Sequence, residues 1–208
     1  MTTVALDPFY PIVDDCTWLR RLLPLGVRLV QLRIKDRPDL ELRAQISEAK
    51  TLCAQYRCQL IVNDYWKLAI EQGCDYIHLG QEDLDTAEVE AIHEAGIQIG
   101  ISTHSDEELE RALGFSPDYI ALGPVYPTIH KKMPWSPQGL QRVEEWKRRI
   151  GAIPLIGIGG LNLDRAEGVL DAGADVVSVV TDIALNEDPE AQTRRWIALT
   201  EKYRPIDA

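Results

Sequence analysis

The chain has 208 residues, of which 45% are hydrophobic, and a formal net charge of −11 at pH 7. This length suits one domain with a sizeable core, so we take residues 1–208 as a single domain. The acidic excess argues against a nucleic-acid or anionic-membrane surface, where neutralising phosphates needs a basic excess. The sequence has neither a run of about twenty apolar residues nor a recognisable signal peptide, so we expect a cytoplasmic protein.

The four cysteines form no CxxC pair, and each lies in or beside a helical pattern among apolar neighbours. Zinc sites and secreted disulfide frameworks have characteristic paired spacings. We therefore predict reduced core thiols. The cysteines are Cys16, Cys53, Cys58 and Cys74.

Short apolar runs alternate with helical patterns along the chain. The apolar runs, interpreted as strands, cover residues 10–14, 29–35, 60–62, 76–80, 98–103, 119–123, 154–160 and 176–183. Helical patterns cover residues 16–25, 40–56, 65–73, 86–95, 106–113, 138–150, 162–173 and 188–203. Parallel strands need such crossovers. Eight strand-helix units predict a single-domain (β/α)8 TIM barrel, whose strand C-termini converge on one mouth.

The second predicted strand has a polar face. Gln31, Arg33 and Lys35 alternate with apolar residues, so their side chains point the same way. The outer face of a barrel strand packs against helices and must be apolar. We therefore expect the three polar side chains to point inward, with Lys35 nearest the mouth. Buried cations need an anion, which predicts a phosphate-type ligand; an internal salt bridge is the alternative.

Carboxylates follow the third and fourth predicted strands. Asn63 and Asp64 come directly after one apolar run, and Asp83 comes shortly after the next. Two oxygen donors at one mouth suit Mg²⁺. Asp64 and Asp83 are therefore predicted magnesium ligands, with capping of the following helices as the alternative.

More polar groups fall at the same end of the predicted barrel. Ser102 lies at the end of the fifth strand, and the loop 124–137 carries Thr128, His130 and Lys131 among four prolines. A loop of this length in a compact domain is often functional. For His130, an exposed loop histidine is the simpler interpretation.

The seventh and eighth predicted strands end in groups that suit a phosphate. A glycine pair ending at Gly160 lets backbone amides approach an anion, and Val180 and Thr181 follow the eighth strand. Barrels of this class commonly bind phosphate at these two strand ends. Together with the cations of the second strand, this predicts two phosphorylated substrates in one mouth.

Seven motifs stand in order along residues 10–183. They are QLRIK at 31–35, ND at 63–64, HLGQED at 78–83, STH at 102–104, GPVYPT at 123–128 with Lys131, IGG at 158–160 and VVT at 179–181. In this order they resemble the thiamine-phosphate synthase (thiamine-phosphate pyrophosphorylase) family. Two positions depart from the usual family pattern, because His130 replaces a threonine and Thr181 replaces a serine.

The resemblance implies a transferase that joins 4-amino-2-methyl-5-pyrimidinylmethyl diphosphate to 4-methyl-5-(2-phosphoethyl)thiazole, giving thiamine phosphate and diphosphate. It implies Mg²⁺ as the cofactor, bound by Asp64 and Asp83. It implies that the pyrimidine diphosphate is held by Gln31, Leu32, Arg33, Ile34, Lys35, Asn63, Ser102 and Lys131. It also implies that the thiazole phosphate is held by Thr128, Ile129, His130, Gly160, Val180 and Thr181.

The expected mechanism is a dissociative substitution. Diphosphate leaves first, and the thiazole nitrogen then attacks the pyrimidinylmethyl cation. Arg33, Lys35 and Lys131 are the expected catalytic residues, because cations around the leaving group stabilise its developing charge.

Two other functions fit parts of the pattern. A thiazole tautomerase would share the barrel but would have no use for the metal pair or the cations of the second strand. A non-catalytic barrel could bind thiamine phosphates as a sensor or carrier. The expected partners are small-molecule substrates, not nucleic acid or membrane, and the sequence is compatible with a homo-oligomer.

Overall fold

The computed structural model describes residues 6–128 and 135–204. Within them, eight parallel strands close into a barrel in chain order, and the last strand pairs with the first. The strands are β1 (Phe9–Val13), β2 (Leu29–Leu32), β3 (Gln59–Asn63), β4 (Tyr76–Leu79), β5 (Gln98–Thr103), β6 (Tyr119–Leu122), β7 (Leu155–Ile158) and β8 (Val176–Val179). The predicted (β/α)8 barrel is confirmed.

Helices connect the strands and cover the outside of the barrel. They are α1 (Cys16–Leu22), α2 (Asp39–Tyr56), α3 (Trp66–Glu71), α4 (Val89–Glu94), α5 (Asp106–Leu113), α6 (Gly139–Ile150), α7 (Leu163–Asp171), α8 (Thr181–Ala184) and α9 (Pro189–Thr200). Short 3-10 turns occupy Leu23–Leu25, Asp83–Asp85 and Glu201–Tyr203. Among the helices described, none has the length and apolar character needed to cross a bilayer.

Side-chain caps determine where several helices begin. The Ser105 hydroxyl accepts a hydrogen bond from the backbone of Glu108 at the start of α5. Asn162 caps α7 and Asp188 caps α9 in the same way. Each cap satisfies an N–H group that has no partner inside the helix, so these starts follow from local sequence.

The alternation of strand side chains divides the core into two layers. Outward residues pack against the helices in one large cluster that includes Leu32 and Ile34. Inward residues fill the barrel, and this inner cluster consists of Tyr10, Leu29, Ile61, Tyr76, Tyr119, Ala121, Ile156 and Val176. Because the period is two, Gln31, Asn63, His78 and Ser102 share this inward direction. The four cysteines are free and buried, as predicted.

Three strands end at least two residues earlier than predicted. β2 ends at Leu32, although the Arg33 N–H still donates to the Val13 carbonyl at 2.8 Å, so Lys35 lies beyond the sheet. β7 stops before its glycine pair because both glycines adopt positive φ, 96° and 66°. β8 ends before Val180, whose φ of −125° and ψ of −73° lead directly into α8.

Candidate active site

The carboxyl groups of Asp64 and Asp83 lie together at the ends of β3 and β4. The Asp64 N–H donates to the His78 carbonyl at 2.9 Å, which fixes the chain just past β3. Asp83 accepts a hydrogen bond from the Gly80 N–H at 2.8 Å. Burial raises the pKa of Asp83; the adjacent Asp64 carboxylate raises it further, while the Gly80 N–H and the Lys35 charge oppose the rise. The carboxylates therefore share one small region.

Neither carboxylate caps the following helix. The N-cap of α3 is Tyr65 and that of α4 is Glu88, and neither helix start has a side-chain cap. The capping alternative is therefore wrong for both aspartates. Asp64 instead adopts a φ of 65°, an uncommon conformation for a residue other than glycine.

The pair fits Mg²⁺ in the chemistry of its donors. Magnesium is usually bound by one or two carboxylates, with substrate phosphates and water completing the coordination. Within residues 6–128 and 135–204, no cluster of three or more His, Cys, Asp or Glu side chains is arranged to hold a metal ion. The two aspartates therefore suit an ion that depends on the substrate for its remaining ligands.

Arg33 and Lys35 differ in their partners. Lys35 forms an ion pair with Asp64 and is about half exposed. Arg33 is partly buried, and its side chain makes no hydrogen bond or ion pair with the residues that the structure describes. Its charge contributes to the lowered pKa of His78 in the barrel interior, so the guanidinium lies within electrostatic range of that imidazole. The alternative that these cations form internal salt bridges therefore holds for Lys35 and not for Arg33.

Asn63 carries a buried donor without a partner. Its side chain is 4% exposed, and its Nδ2 group has no hydrogen-bond partner among the described residues. A buried N–H group left unpaired is costly and rare. Asn63 therefore offers a donor to a ligand at the end of β3.

A chain of polar side chains runs through the inner layer beneath the mouth. Ser102 on β5 contacts His78, which contacts Tyr119; Tyr119 contacts Tyr10, and Tyr10 contacts Gln31 on β2. Burial lowers the pKa of His78 to about 4; Asp64 opposes this shift and Arg33 adds to it. The imidazole is therefore neutral at pH 7. We assigned no role to His78, Tyr119 or Tyr10 from the sequence, although their inward strand positions were a usable signal.

The ends of β6 and β7 are joined beyond their strands. The Tyr126 N–H donates to the Gly159 carbonyl at 3.0 Å. A Cβ atom added at Gly160 would overlap the carbonyl oxygens of Tyr126 and Pro127. Glycine is therefore required here by close backbone approach as well as by positive φ.

Arg165 and Asp182 support this region, and neither was predicted from the sequence pattern. The Arg165 guanidinium lies 4.8 Å from the centre of the Tyr126 ring and donates to the Gly160 carbonyl at 2.6 Å. Asp182, next to Thr181, accepts hydrogen bonds from two side chains of α9, each at 2.7 Å. These contacts fix the backbone near Gly160 and Thr181.

Some predicted residues lie elsewhere. The side chains of Leu32 and Ile34 are buried in the outer core, away from the mouth, so only their backbone is available to a ligand there. Thr128 is partly buried at the end of a described segment. Ile129, His130 and Lys131 lie outside the described residues.

Comparisons with known proteins agree in one family. The sequence model for thiamine monophosphate synthase matches residues 9–183. A thiamine-phosphate synthase of Rhizobium etli is 59% identical over 203 residues, which cover 98% of this chain and 100% of the relative. One of Cronobacter sakazakii is 46% identical over 190 residues, covering 91% and 90%. A solved thiamine phosphate pyrophosphorylase from Pyrococcus furiosus superposes with a TM-score of 0.84 at 27% identity, covering 96% and 98%.

Proposed function

The chain belongs to the thiamine monophosphate synthase family, and on this premise we propose how the barrel mouth carries out the family reaction. The chain is a transferase that joins the 4-amino-2-methyl-5-pyrimidinylmethyl group to 4-methyl-5-(2-phosphoethyl)thiazole and releases diphosphate. The observation that supports the proposal is that Lys35 pairs with Asp64 beside the Asp83 carboxyl group, with both carboxylates in one small region.

The departing diphosphate is held at the ends of β2, β3 and β4. Arg33, which has no partner among the described residues, binds it directly, and Lys35 turns from Asp64 to the diphosphate. Mg²⁺, held by Asp64 and Asp83, would supply Lewis-acid neutralisation of the leaving group. Preorganised charge of this kind typically lowers a barrier by several kcal/mol, about a hundredfold to a thousandfold in rate for each strong interaction. Lys131 stays a predicted third cation.

The pyrimidine is held by the inward polar residues. Asn63 offers its unpaired Nδ2 donor, and Gln31 and Ser102 contribute from β2 and β5. The apolar and aromatic inner layer closes the barrel below them, which limits access of water to a pyrimidinylmethyl cation. No side-chain nucleophile is needed, because the thiazole nitrogen forms the new bond.

The thiazole phosphate is held at the ends of β7 and β8. Gly160, Val180 and Thr181 lie on these two neighbouring strand ends. Thr128, Ile129 and His130 are proposed to complete the site from the loop after β6. The cytoplasmic location and a homo-oligomeric state stay predictions.

Mixing the two substrates with Mg²⁺ tests this function. We expect diphosphate and thiamine phosphate to appear in equal amounts, and the control without thiazole phosphate to yield no thiamine phosphate. A thiazole tautomerase would convert its substrate with no pyrimidine diphosphate present. A carrier would bind both compounds without releasing diphosphate. Either result would contradict the proposal.

A further inference from the structure

Four hydrogen bonds cross the barrel interior from β2 to β5. They join Gln31 Nε2 to the Tyr10 hydroxyl at 2.8 Å and this hydroxyl to that of Tyr119 at 3.2 Å. They continue from Tyr119 to His78 Nδ1 at 2.6 Å and from His78 Nε2 to Ser102 Oγ at 2.7 Å. The four residues below Ser102 are at most 8% exposed, so these bonds are largely shielded from bulk water.

One direction of donation gives every proton of this hydrogen-bond chain an acceptor. Gln31 donates its amide N–H to Tyr10, and among the described residues the Tyr10 hydroxyl proton then has an acceptor only if it goes to Tyr119. Tyr119 in turn has one proton, which goes to His78 Nδ1. A neutral imidazole protonated at Nε2 then donates to Ser102 Oγ. The Ser102 proton is thereby left to donate outward, and Gln31 Oε1 stays an acceptor with no partner among the described residues.

We propose that Tyr10, Tyr119 and His78 are positioning residues that set Gln31 as an acceptor and Ser102 as a donor, so that the mouth selects an aminopyrimidine over an oxopyrimidine. This inference rests on the proposed function. The amino group of the substrate is a donor and the neighbouring ring nitrogen is an acceptor, which match Gln31 Oε1 and the Ser102 hydroxyl. In a 4-oxo analogue both roles are reversed.

A glycine on β5 leaves space inside the barrel for this hydrogen-bond chain. A Cβ atom added at Gly100, opposite Tyr119 on the neighbouring strand, would overlap the Tyr119 ring. That ring also stacks on His78, with centroids 5.6 Å apart and planes at 16°. Tyr76 shows that a phenol in this interior need not join the chain, because its buried hydroxyl has no partner among the described residues.

The test compares Tyr119→Phe with Tyr76→Phe. Both substitutions remove one hydroxyl from the inner layer, but only the first breaks the chain. Dissociation constants are measured by calorimetry for the 4-amino substrate and its 4-oxo analogue, with Mg²⁺ present. Loss of one hydrogen bond of this type corresponds to about a tenfold change in binding. We expect the amino-to-oxo preference of Tyr119→Phe to fall about tenfold, and that of Tyr76→Phe to stay within about twofold.

Two further measurements keep the result interpretable. Tyr10→Phe interrupts the hydrogen-bond chain at another bond and should lower the same preference for the 4-amino over the 4-oxo compound. This second variant serves as the test if Tyr119→Phe does not fold. Melting temperatures report any general loss of packing, which would weaken both ligands equally. A wild-type preference retained in folded Tyr119→Phe or Tyr10→Phe would overturn the inference. Failure of the wild type to form thiamine phosphate would instead overturn the proposed function.

Discussion

Asp64→Asn is expected to lower the rate of diphosphate release by about a thousandfold, equivalent to ~4 kcal/mol of barrier. The substitution keeps the shape of the side chain but removes one of two charges proposed to hold the ion. Chelation of Mg²⁺ with EDTA should produce a loss of similar size in the wild type, and added Mg²⁺ should restore it. Stopped-flow or coupled detection of diphosphate measures both effects.

Asp85→Asn is the matched control for this substitution. Asp85 belongs to the same 3-10 turn as Asp83, but its carboxylate pairs with Arg111 at the surface at 2.6 Å. Its replacement should leave diphosphate release within about twofold, because exposed ion pairs contribute little. If Asp64→Asn released diphosphate at the wild-type rate, or if the wild type stayed active after complete chelation, Mg²⁺ would have no role in diphosphate release.

Arg33→Ala is expected to lower kcat/KM for the pyrimidine diphosphate by about a hundredfold to a thousandfold. The KM for thiazole phosphate should stay nearly unchanged, because that site is proposed at the opposite strand ends. The melting temperature should not fall, since Arg33 makes no side-chain hydrogen bond or ion pair in the described part of the chain. A partly buried cation without a counter-ion does not stabilise a fold.

Arg20→Ala serves as the control for Arg33→Ala. Arg20 pairs with Glu48 on the outer surface, so its loss should leave both kinetic constants near wild type. If Arg33→Ala were less stable than Arg20→Ala and equally active, Arg33 would be a structural residue and not a binding one.

The site residues at strand ends were predictable because the C-terminal ends of all strands of a parallel barrel lie at the same face. Asp64 and Asp83 are nineteen positions apart in the chain, yet both follow neighbouring parallel strands, so the fold alone brings them together. The inward direction of Gln31 also followed from strand alternation. These inferences needed the strand order and no knowledge of side-chain contacts.

Other features depended on tertiary structure. In the sequence, Tyr10 and Tyr119 look like ordinary aromatic core residues of their strands. Only the closed barrel brings their hydroxyl groups together. Arg165 lies on α7, and its contact with Gly160 arises from the way that this helix packs near the end of β7. The early end of β8 was missed because the apolar and β-branched residues after Val179 favour a strand locally, whereas the chain turns into α8.

In the proposed mechanism, cations and a carboxylate-held metal ion meet over the same departing diphosphate. A crystal structure of the protein with Mg²⁺ and diphosphate tests it most directly. We expect one ion in contact with the carboxylates of both Asp64 and Asp83, with the diphosphate bound to that ion and within hydrogen-bond distance of Arg33. An ion bound away from this pair, or a diphosphate out of reach of Arg33, would contradict it.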